Sequence, residues 1–97
     1  MIKAIVLYEG RAPDPERYRR HVDDFCSKVP GAAFRHGRIF GAAVGEPRFQ
    51  YYAEFEWPDK DSFRAASRSE EFAATAADAM EMDIPFTVHF AEIVEVE

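Results

Sequence analysis

Cysteine occurs once in the 97 residues, at Cys26, so no internal disulfide can form and a reducing cytoplasm is the expected location. Long apolar runs are also missing. No window approaches the roughly 18 uninterrupted apolar residues of a membrane span. The start, Met1-Ile2-Lys3-Ala4-Ile5, lacks the basic residues, apolar core and cleavage site of a signal peptide. Positive charge is scarce: 12 Lys and Arg against 18 Asp and Glu leave a net charge of −6, which gives phosphate backbones little to bind and argues against nucleic acid as a partner. The histidines, His21, His36 and His89, are scattered, with no two at metal-ligand spacing and no cysteine pair nearby, so no metal is expected. A glycine-rich phosphate loop is absent as well, because Gly41 and Gly45 lie between two strand-like segments rather than at the start of a helix. No cofactor is therefore expected. What remains is small molecules and other protein surfaces.

The residues present define one folded unit. A hydrophobic content of 47%, evenly spread, is too high for a disordered chain, and the length supports a single domain over residues 1–97. Ile2 to Tyr8 is a short run of apolar and β-branched residues bounded by Glu9-Gly10 and Pro13, and predicts a strand with apolar residues on both faces. Asp14-Pro15-Glu16 has the order of a helix start: a capping carboxylate, a proline in the first turn and an acid near the positive end of the dipole. Tyr18, Val22, Phe25 and Val29 then recur at helical spacing until Pro30-Gly31, with Cys26 at the edge of the stripe and His21 about 70° from its centre at roughly 100° per residue.

Ala33 to Phe40 alternates loosely and predicts a second strand, and Phe49 to Trp57 alternates strictly and predicts a third. Pro58-Asp59 opens a helix, and Ser67 with Glu70 has the spacing of a capping box for a second helical piece ending near Met82. Phe86 to Val96 predicts the last strand. The order strand, helix, strand, strand, helix, strand is that of an α+β, ferredoxin-like βαββαβ domain with a four-stranded antiparallel sheet. Helices on one face leave the other bare. An apolar face of that size argues for two sheets pairing across a two-fold axis as a homodimer.

The chain resembles the EthD-like family (ethyl tert-butyl ether degradation type) of the dimeric α/β-barrel superfamily along essentially its whole length. The residues that carry the resemblance are Ile5-Val6-Leu7-Tyr8 followed by Asp14-Pro15-Glu16, then Tyr18 and His21-Val22. Pro30-Gly31, Ala53-Glu54-Phe55 followed by Asp59 to Phe63, and Phe90-Ala91-Glu92-Ile93 complete it. Where family members usually carry His-x-Pro-Leu, this chain reads His21-Val22-Asp23-Asp24. The resemblance implies a homodimer whose sheets face each other, a cavity between sheet and helices in each protomer, and a small apolar or aromatic ligand. It also implies cofactor-independent oxidation, isomerisation or cyclisation, since such activities occur in the superfamily; the competing class is a non-catalytic accessory or ligand-sequestering module.

His21 is the catalytic candidate, as general base or hydrogen-bond donor, because an imidazole titrates near working pH. Its plainer role is an edge histidine satisfied by water or by Asp24. Tyr52 and Glu54 place a phenol beside a carboxylate on one strand face, a pair able to orient a substrate; the alternative is a charged row pairing with Arg35 or Arg38. His89 either points into a lumen or is a satisfied sheet histidine. Tyr8, Phe25 and Phe40 are core aromatics by pattern and pocket-lining candidates by resemblance.

Overall fold

The structure, a computed structural model, describes residues 1–97. Strand β1 (Ile2–Glu9) is followed by helix α1 (Pro15–Asp24) and a short 3-10 turn (Cys26–Lys28); β2 (Ala33–Arg38), β3 (Phe49–Trp57), α2 (Lys60–Ser67), α3 (Glu70–Glu81) and β4 (Phe86–Glu92) complete the chain. The sheet order is β2-β3-β1-β4, all antiparallel. This is the α+β, ferredoxin-like arrangement.

Alternation in β1 settles which face is which. Ile2, Ala4, Val6 and Tyr8 are buried, whereas Lys3, Ile5, Leu7 and Glu9 are half-buried. In register with the first set stand Trp57, Phe55, Ala53 and Tyr51 of β3, and beyond them Phe34 of β2. These residues form the core with Tyr18, Cys26 and Val29. Trp57 is wholly buried, its ring edge-on to Phe63 at 5.2 Å, and its Nε1 donates to the Pro30 carbonyl at 3.0 Å. That bond ties the chain leaving the 3-10 turn to β3. Gly31 follows at φ +69, the left-handed conformation that suits glycine there.

Helix starts follow the capping chemistry of the sequence. Asp14 accepts from the Arg17 amide at 3.1 Å, and Asp59 from the Ser62 amide at 2.8 Å. The α3 cap is Ser69, which accepts from the Phe72 amide at 3.1 Å, and not Ser67. Ser67 is still inside α2 and its hydroxyl donates back to the Arg64 carbonyl at 2.9 Å.

The first helix is shorter than the predicted run to Val29. Asp23 and Asp24 put two carboxylates at the negative end of the helix dipole, which weakens continuation. The chain instead tightens into the 3-10 turn, where positions three apart lie on one side, and this buries both Cys26 and Val29. With the helix ending early, its buried arc centres on Tyr18 and His21, while Val22 and Phe25 are only half-buried.

The outer strands stop earlier than predicted. β4 ends at Glu92 because Glu92 pairs with Ile2, the first residue of β1, and beyond it only Ile93 still bonds the Met1 carbonyl. Past Arg38, Ile39 makes one more bond, to Gln50, and Phe40 then leaves the sheet at 91% exposure.

The helix-free face is more polar than the apolar face expected from the sequence. Ile5 and Leu7 sit between Glu54 and Tyr52 on one side and His89 and Thr87 on the other. Around them Glu54 takes hydrogen bonds from Lys3 at 3.2 Å, Tyr52 at 2.6 Å and Arg35 at 3.0 Å.

Candidate functional site

Between the sheet and α1 and α3 lies a cavity of about 50 Å³. Thirteen of its fifteen lining residues are hydrophobic, the exceptions being His21 and Thr75. Thr75 spends its hydroxyl on the Glu71 carbonyl of its own helix at 2.7 Å, so it offers a ligand little. Ala76 on α3 and Val88 on β4 line the cavity and are also exposed, which opens the space to solvent between those two elements.

The polar atoms meeting this apolar space come from three side chains. Tyr8 reaches it from β1; Tyr18 and His21 reach it from α1, three residues apart and so on one face. The Tyr8 and Tyr18 rings meet edge-on at 5.9 Å, and Tyr18 lies 5.2 Å from the His21 ring. Burial pushes the Tyr8 phenol up to about 12 and raises Tyr18 too, so both are O–H donors at neutral pH. Burial likewise pushes the Cys26 thiol up to about 12, leaving it protonated and unreactive.

His21 is 2% exposed, and its partner is not Asp24 but Asp78 on α3: Nδ1 lies 2.7 Å from Oδ2. Asp78 is in turn held by Arg17, with Nη2 to Oδ1 at 2.8 Å and Nη1 to Oδ2 at 3.0 Å. Arg17 and His21 are one turn apart on α1, so the carboxylate of α3 docks between them and ties the two helices together. Burial lowers the imidazole from its ordinary value, and Arg17 acts in the same direction, against the pull of Asp78. For Asp78 burial acts upward, but the hydrogen bonds from Arg17 and His21 prevail and hold it below the usual carboxylate value. Nε2 of His21 has no hydrogen-bond partner within the protein, and the ring stands in the cavity wall.

The other candidates lie elsewhere. Phe25 touches the His21 ring at 6.2 Å but does not line the cavity, because the 3-10 turn directs it toward the surface beside Glu70 and Glu71. Phe40 stands in solvent beyond the end of β2. Tyr52, Glu54 and His89 occupy the opposite face of the sheet, fixed there by strand parity. On that face Glu54 is buried, which acts to raise it, yet hydrogen bonds from Tyr52, Arg35 and Lys3 outweigh burial and lower it. The pairing is with Arg35; Arg38 takes no part. No three His, Cys, Asp or Glu side chains converge as a metal site would require.

Sequence reasoning missed Arg17, Tyr18 and Asp78 as site residues. A signal for Asp78 exists: it is the single charge in the stretch Ala73 to Ala79.

No family model and no curated protein matches the chain. Solved structures do. An ethyl tert-butyl ether degradation (EthD) family protein from Bacillus halodurans is 29% identical, with 97% of this chain and 99% of that one covered at a TM-score of 0.77. An EthD-like protein from Ralstonia eutropha is 20% identical over 99% and 94% of the chains, at a TM-score of 0.73. The chain is thus similar to EthD family proteins over nearly its whole length. Its fold alone is shared with a hydroxynitrile lyase from Passiflora edulis, 16% identical over 99% and 95% of the chains at a TM-score of 0.74. The same holds for a cofactor-independent oxygenase from Streptomyces nogalater, 20% identical over 98% and 93% at 0.60. A dimeric ferredoxin-like protein from Thermobifida fusca, 16% identical over 95% and 90% at 0.65, is a further example. No helix of this chain is long and apolar enough to cross a membrane.

Proposed function

We propose that this EthD-like protein is a cytoplasmic homodimer that binds a small apolar or aromatic metabolite. In this reading it acts on the metabolite without a cofactor, as an isomerase or oxidoreductase, with His21 as general base. The observation that carries the reading is one imidazole in the wall of an apolar cavity, with Nδ1 committed to Asp78 and no protein partner on Nε2. An atom so placed takes a proton from a C–H or O–H acid of the substrate. The N–H bond forms as the substrate bond breaks, and the electron pair stays on the substrate as an enolate or phenolate. Returning the proton to another carbon completes an isomerisation; passing electrons from the anion to dioxygen begins an oxidation. The Tyr8 and Tyr18 phenols, both protonated, stabilise the oxyanion. Arg17 is engaged by Asp78, so the cavity has no free cation for a carboxylate ligand, and an uncharged substrate fits it best.

The cavity receives the reacting end of the ligand, and the remainder lies in the opening beside Ala76 and Val88. Tyr52, Glu54 and His89 belong to the face turned to the partner. There Lys3 and Arg35 balance Glu54 and Glu56, a combination that meets its own copy without repulsion.

Deuterium exchange at the α-carbons of cyclopentanone, followed by proton NMR, tests the base directly without knowledge of the natural substrate. Exchange above the buffer rate that falls by roughly 10² to 10⁴ in His21→Ala supports the reading. Binding of the ketone without exchange removes the catalytic role and leaves a ligand-sequestering protein.

A further inference from the structure

The clasp of Arg17, Asp78 and His21 does more than join α1 to α3. We propose that Asp78 and Arg17 are positioning residues of the cavity: Asp78 fixes His21 as the tautomer protonated on Nδ1, and Arg17 cancels the Asp78 charge so that the imidazole stays neutral. This rests on the reading of His21 as the base and names the groups that make it one.

The geometry assigns the two tasks separately. A carboxylate is an acceptor only, so the 2.7 Å contact to Asp78 requires a hydrogen on Nδ1, which in a neutral ring places the lone pair on Nε2. The bond is charge-assisted, and a preference of about tenfold, worth about 1.4 kcal/mol, lies within the range for such bonds. Asp78 on its own would also favour the imidazolium, which has no lone pair to offer. Burial opposes that tendency most, and Arg17 opposes it too because it covers both oxygens of the same carboxylate, at 2.8 and 3.0 Å. The charged or titratable groups around His21 are Arg17 and Tyr18 on α1, Cys26 on the 3-10 turn, Asp78 on α3 and Tyr8 on β1. The two phenols and the thiol are kept protonated by burial, which leaves Arg17 and Asp78 as the charges acting on a ring that burial already favours as neutral.

Long-range nitrogen–proton NMR of the histidine rings reads tautomer and charge directly, with no ligand present. In the wild-type protein at pH 7.5 the His21 signals should be those of a neutral ring protonated on Nδ1. Asp78→Asn should shift population to the form protonated on Nε2, since an amide can donate as well as accept. Arg17→Gln should leave the Nδ1–H tautomer in place and raise the titration midpoint of His21 by about one pH unit or more. A purely structural clasp predicts loss of stability with tautomer and midpoint unmoved. A wild-type ring protonated on Nε2, a wild-type imidazolium at pH 7.5, or an unchanged midpoint in Arg17→Gln would each overturn the proposal. The wild-type measurement stands even if Asp78→Asn does not fold. Because no substrate takes part, failure here is distinct from failure of the exchange experiment, which tests the activity itself.

Discussion

Glu54 shows how strongly one residue's cost depends on its neighbours. It is buried in a sheet face that carries no helix, and it is tolerated there because Lys3, Arg35 and Tyr52 all donate to it. Glu56 shares Lys3 and Arg35 but is more exposed, so water can replace what it loses. Glu54→Ala should cost about 1–2 kcal/mol and Glu56→Ala about 0.5 kcal/mol or less in urea unfolding followed by Trp57 fluorescence. Equal costs would contradict the assignment of Glu54 as the centre of the network. At this scale the sequence reveals which face a residue takes but not its partner on another element. Tyr52 and Glu54 were legible as one row because strand parity is local, whereas the choice of Arg35 over Arg38 as the partner was not. The contact between His21 and Asp78 spans 57 positions and depends on how α3 crosses α1, which no helical periodicity specifies.

Elements whose residues alternate strictly were legible to the last residue, and those whose ends depend on tertiary contacts were not. β3 is Phe49–Trp57 in both sequence pattern and structure, since its side chains alternate strictly and period 2 is unambiguous. β4 ends where its partner β1 begins, a limit invisible in its own pattern of valines. The end of α1 and the cap of α3 turn on backbone conformation: Ser67 and Ser69 both precede acidic residues, yet only Ser69 is extended, with φ −77 and ψ 153. Ser69→Ala should therefore cost about 1 kcal/mol, and Ser67→Ala should stay within about 0.5 kcal/mol. Thermal unfolding of the two variants checks this, and a larger loss at Ser67 would contradict the observed cap.

For the molecule as a whole, five groups couple stability to pH in the same direction. His21 and His36 are lowered from their ordinary value of 6.5, Asp78 and Asp59 from 3.8 and Glu54 from 4.5. Each therefore contributes stability above its unfolded value and loses it as pH falls through the folded one, because the unfolded chain takes up the proton more readily. Urea midpoints should be level above about pH 7, begin to fall below 6.5 as unfolding frees His21 and His36 to protonate, and fall again through the carboxylate range. Rising stability between pH 7 and pH 5.5 would show that these imidazoles gain, rather than lose, from their surroundings as they protonate. At this scale the ferredoxin-like topology was readable from element order alone. The proposed dimer should appear in light scattering at micromolar concentration as twice the 11.1 kDa chain, with more than about 1,000 Å² buried in all. A single-chain mass would remove it. The most direct test of the account is a crystal structure of the protein with a small uncharged ketone or phenol bound. The ligand is predicted to occupy the cavity between sheet and helices, with its proton-bearing atom about 2.6–3.2 Å from His21 Nε2 and its oxygen facing Tyr8 or Tyr18. A cavity closed by side chains, with Nε2 bonded to a protein group and the ligand elsewhere, would contradict it.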